Sequence, residues 1–145
     1  MDYSEDTVKL LRECDAGSKM AVTSIDEVLE MVESTELASL LKESKDHHSE
    51  LGNEIHRMLN QFHVEEKEPS AMAKGMSWMK TNIKLAMEES DATIADLMTD
   101  GCNMGVKSLN KYLNKYKGAD EVSKDIAKRL INLEEKLTVD IRKFL

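Results

Sequence analysis

The chain has 145 residues, 33% of them charged, 41% hydrophobic and 4% aromatic, with six glycines and one proline. That length suits one domain, and the scarcity of breakers and aromatics argues against sheet and for an aliphatic core between helices. A formal net charge of −8 and a pI near 5.1 set the surface field against phosphate backbones and anionic lipid, so neither nucleic acid nor a membrane is an expected partner.

The first helix is read from Ser4, an N-cap type followed by two acids that suit a helix start. It runs to about Val32, with Val8, Leu11, Val22, Ile25, Leu29 and Val32 on one stripe that Asp15 and Ser18 interrupt. The second begins after a break at 33–35. Thr35 is its expected cap, and Leu37, Leu41, Leu51, Ile55 and Phe62 carry the apolar face, with Ser44 and His48 in its middle.

Residues 64–69 form a charged connection that contains the only proline. A third periodic segment covers 70–88, with Met72, Met76, Trp78, Met79, Ile83 and Met87. Ser90-Asp91 opens a fourth helix that buries Ile94, Leu97, Met98, Leu109, Tyr112 and Tyr116 and stops near Gly118. The last helix carries Ile126, Leu130, Leu133, Leu137, Ile141 and Phe144, a stripe read as free of polar interruption.

Two hairpins, 4–63 and 91–145, thus flank a crossover helix at 70–88, and they show a faint internal repeat. Cys14-Asp15-Ala16-Gly17 matches Cys102-Asn103-Met104-Gly105, with Lys19 and Lys107 at the same spacing. Leu40, Leu51, Ile55 and Met58 fall against Ile126, Leu137, Ile141 and Phe144. The Cys14-to-Gly17 run, the connector with Trp78, the Cys102-to-Tyr112 stretch and the closing Leu133-to-Leu145 segment together resemble an uncharacterised ferritin-like family related to the rubrerythrins. The resemblance implies an all-α, ferritin-like four-helix bundle of two hairpins joined by a helical crossover, in one domain.

Di-iron sites on that fold need a Glu from each of two helices and a Glu-x-x-His pair from each of the other two. Near Gly17 and Gly105, where the resemblance implies inward-facing glutamates, stand Ser18, Lys19, Val106 and Lys107. Three residues before His47 and His48 stand Ser44 and Lys45, and the last helix has no histidine. No di-iron centre is expected, and no catalytic or cofactor-binding residue and no cofactor is assigned.

The remaining soft ligands are Cys14, His48 and Cys102, which suit zinc or copper if brought together. The antiparallel first and fourth helices implied by the resemblance would offset the two cysteines by about 8 to 10 Å, too far for shared coordination or an unstrained disulfide. They are therefore read as small buried thiols. His48 is read as satisfied by Ser18, Ser44 or water, the alternative being a ligand or proton carrier. The connector methionines are read as packing beneath a crossing helix, or else as a soft face for copper(I) or for several partners. Gly75, Gly101 and Gly105 are read as close helix contacts.

Acids in the first twelve residues, where an export signal would be basic and apolar, and two free cysteines point to a reducing, cytoplasmic setting. The functional expectation is a non-catalytic bundle that acts by association with a protein partner or a second copy of itself. The alternative is a metal-binding or redox-linked bundle that uses the Cys, His or Met residues.

Overall fold

A computed structural model describes residues 4–64 and 78–145. Among these, all regular structure is helical: α1 (Glu5–Leu29), α2 (Thr35–Gln61), α3 (Trp78–Ala86), α4 (Asp91–Lys115) and α5 (Glu121–Asp140), followed by a short turn of 3₁₀ helix at Arg142–Phe144. None of these helices is long and apolar enough to cross a membrane.

Four helix starts carry side-chain caps. Ser4, Ser34 and Ser90 accept from the N–H of Thr7, Leu37 and Thr93, and Asp120 accepts from that of Ser123. The cap of α2 is thus Ser34, one residue before the expected Thr35. Each of these helices also has an acid in its first turn, where the exposed N–H groups favour negative charge. α2 closes with His63 at φ 57. The N–H of His63 donates to the Asn60 carbonyl and that of Val64 to the Leu59 carbonyl, each at 3.0 Å, the two bonds of a left-handed helix stop.

Bonds at the two ends of the bundle set the helix directions. At one end the Gly118 N–H donates to Asp6 at 2.8 Å and the Asp120 N–H to Thr7 at 2.9 Å, so α1 starts where α4 finishes. At the other end the Asp91 carboxylate accepts from the N–H groups of Glu33 and Ser34, both at 2.9 Å, so α1 finishes where α4 starts. Arg129 forks onto Glu54, and Lys143 pairs with Glu36, which makes α5 antiparallel to α2. α1 and α5 therefore run one way and α2 and α4 the other. The chain leaves α2 at one end of the bundle and enters α4 at the opposite end. α3 packs on α1 and α4; the part of the expected crossover at 70–77, with Met72, Met76 and Gly75, lies outside the described residues.

The core is split in two. One cluster gathers Leu10, Leu11, Leu51, Ile55, Leu59, Ile126 and Leu130 at the α1 start; the other gathers Ile25, Val28, Leu37, Leu41, Ile83, Ile94 and Ile141 at the opposite end. Each fully buried aliphatic side chain contributes on the order of 1.5–3 kcal/mol. Between the clusters, near the helix midpoints, lie the buried polar residues Asp15, Ser18, Ser44, His48 and Glu134.

Candidate functional site

That polar level opens into a cavity of about 350 Å³. Its α1 wall is Glu13, Ala16, Gly17, Met20, Ala21, Ser24 and Ile25, most of them small or flexible. From α4 come Met98, Gly101, Cys102, Met104 and Gly105, and Trp78 and Met79 of α3 cover one side. His48 of α2 and Glu134 of α5 supply its deeply buried polar groups. Glycines form part of the wall: a Cβ at Gly101 would come 3.7 Å from the Trp78 ring, and one at Gly17 3.7 Å from Leu130, both ordinary van der Waals contacts. Among the described residues, no lysine or arginine lines the cavity.

Glu134 is 8% exposed, and no group of the described residues hydrogen-bonds its Oε2. Burial pushes its carboxyl up to about 8, so it is mostly protonated at neutral pH. The carboxyl lies against Gly105, where a Cβ would come 2.6 Å from Oε1. Sequence reading missed this residue, because an apolar stripe through Leu133 looked complete. The structure half-exposes Leu133 and buries Glu134, which sits four residues after Leu130 and three before Leu137 on the same face.

His48 is fully buried, with Nδ1 2.8 Å from the Ser44 carbonyl. A carbonyl only accepts, so Nδ1 carries the proton and Nε2 is left as a bare acceptor without a protein partner. Burial lowers its pKa, and the ring is neutral at pH 7. Ser44 is thus the satisfying partner, through its backbone. His48 also borders a more open groove of about 400 Å³ between α1 and α2, lined by Asp15, Lys19, Asn53 and His56. There Asp15, 2% exposed, pairs with Lys19 at 3.1 Å.

Both cysteines are buried and free. Burial pushes each thiol up to about 12, which suppresses the nucleophilic thiolate. They belong to different core clusters, and of the two only Cys102 lines the cavity. Among the described residues, no three His, Cys, Asp or Glu side chains are grouped to hold a metal ion. Of the connector methionines within the described residues, Met79 is buried at the cavity as the packing reading expects, while Met87 departs from it: at φ 57 after α3, it is 91% exposed. Near the cavity's α4 edge the Tyr112 hydroxyl bonds Glu13, and burial with that carboxylate raises the Tyr112 pKa.

Compared with known protein families, curated proteins and solved structures, the chain matches none.

Proposed function

We propose that this chain is a non-catalytic, ferritin-like bundle without a di-iron centre, whose function is binding, and that its binding site is the cavity at the polar level. The helix directions support the fold reading: two parallel pairs, with the chain passing from one end to the other between α2 and α4, is the connectivity of a bundle with one long crossover. The observation that carries the functional reading is the cavity itself, a mostly apolar chamber whose lining includes two buried polar residues, Glu134 and His48. Association with a protein partner or a second copy, expected from the sequence, is compatible with this site if the partner inserts an apolar side chain. A neutral probe such as phenethyl alcohol tests it. Saturable binding that is lost on filling the cavity with Ala21→Phe supports the reading; binding unaffected by that substitution overturns it.

The alternative of a soft-metal site rests on one observation: Met79, Met98, Met104, Cys102 and His48 all line this cavity, and thioether, thiolate and imidazole are copper(I) ligands. Elemental analysis of protein purified without chelators or affinity tags separates the two. Copper far below stoichiometric favours the molecular ligand; one equivalent per chain reverses the order.

A further inference from the structure

We infer that the cavity takes a small organic cation, a protonated amine on an apolar body, with its ammonium seated between Glu134 and His48. The inference rests on the binding-site reading above and names the ligand class. Of the described residues that line the cavity, two have buried polar atoms without a protein partner, Glu134 Oε2 and His48 Nε2; with Nδ1 protonated Nε2 is an acceptor, and Oε2 is one once the Glu134 carboxyl ionises. Glu134 is 8% exposed and His48 fully buried, so each lost its water on folding. A ligand that satisfies them must bring donors. An ammonium brings three, together with a positive charge that no described lining residue supplies.

The rest of the chamber suits such a ligand. Trp78 presents a ring whose face attracts cations, and the thioethers of Met98 and Met104 are polarizable. Glu13 adds a further carboxylate among the lining residues. A carboxylate ligand would bring its negative charge to a lining that holds two acidic side chains, Glu13 and Glu134, and an alcohol brings one donor and no charge. At roughly 30 Å³ for each water-sized group, a cavity of about 350 Å³ holds about a dozen such groups, the size of a phenyl- or alkylamine.

Proton balance gives the site a signature. At pH 7 Glu134 is mostly protonated; when the ammonium docks, the carboxyl proton leaves to solvent and the carboxylate pairs with the cation. Among the described residues, the titratable groups that line the cavity are Glu13 of α1, His48 of α2, Cys102 and Tyr112 of α4 and Glu134 itself; α3 contributes none. Cys102 and Tyr112 are raised and His48 is lowered, so these three stay neutral between pH 7 and 9. Amine affinity then rises about tenfold from pH 7 to 9 as Glu134 ionises near 8.

The test is calorimetric titration of the full chain with phenethylamine, phenethyl alcohol and phenylacetate at pH 7 and 9, in buffers of different ionisation heat. The expected result is binding of the amine at least about tenfold tighter than the alcohol at pH 9, with proton release at pH 7 and no detectable phenylacetate binding. Glu134→Gln, close in shape, should remove most of the amine's advantage over the alcohol and abolish the proton release. Alcohol binding as tight as amine in the wild-type chain overturns the cation inference and leaves the binding site standing. An undiminished amine preference in Glu134→Gln overturns the role of Glu134. Binding of none of the three overturns the binding-site reading as well.

Discussion

The carboxyl group of Glu134 occupies the space that a side chain at position 105 would need, since a Cβ on Gly105 would stand 2.6 Å from Oε1 and 2.8 Å from Cδ. Alanine normally gains about 1 kcal/mol over glycine inside a helix. Here the collision outweighs that gain, and Gly105→Ala is expected to destabilise by about 1–3 kcal/mol. In a Glu134→Ala background the same change should stabilise by up to about 1 kcal/mol. Urea unfolding of the four chains of this double-mutant cycle measures the coupling; an identical effect of Gly105→Ala in both backgrounds would exclude the contact.

Glu134 also makes stability depend on pH. Its folded pKa is raised from the ordinary 4.5 to about 8 by burial. Between those values the folded chain keeps a proton that the unfolded chain has lost, so stability present below pH 4.5 declines as pH rises toward 8. The total loss is on the order of a few kcal/mol. Glu134→Gln should remove this slope and be the more stable chain above pH 8, as read from denaturant midpoints across the range. Parallel profiles for the two chains would contradict the buried, unpaired carboxyl.

His48 acts in the opposite sense. Burial holds its folded pKa below the usual 6.5, so the unfolded chain gains a proton first as pH falls, and stability is lost below about 6.5. His48→Gln, which can still donate to the Ser44 carbonyl, should lack this acid-side decline. The difference between its profile and the wild-type profile isolates the effect from that of Glu134.

With both thiols buried and raised to about 12, Cys14 and Cys102 should resist labelling in the native chain and react promptly once it is unfolded. Cys14→Ser places a hydroxyl in a fully buried apolar position and should cost about 1–3 kcal/mol. Rapid native labelling of Cys14 would place that residue outside the core.

Much of the helical plan is legible in the sequence because it rests on local signals. The serines at 4 and 90 fall at the expected starts, and Ile126, Leu130, Leu137 and Ile141 keep the expected face. The cavity is not legible in this way. It arises where Gly17 of α1 and Gly101 and Gly105 of α4 line one space, and no stretch of a single helix encodes that arrangement. Glu134 was hidden by degeneracy, since either Leu133 or Glu134 continues a three-and-four spacing from Leu130, and only packing against α4 selects between them. His48 was visible as a polar break in an apolar stripe, but its bare Nε2 follows from a backbone bond that sequence does not specify.

The central claim, that the chamber between the helices is where this protein binds its ligand, is tested most directly by methionine-methyl NMR during titration with phenethylamine. Met20, Met79, Met98 and Met104 line the cavity, while Met31, Met58 and Met87 do not. The account predicts saturable shifts of the first four signals with one common dissociation constant, and still signals for Met31, Met58 and Met87. Shifts confined to Met87 or the other outlying methionines, or no saturable shift at the cavity methyls, would contradict it.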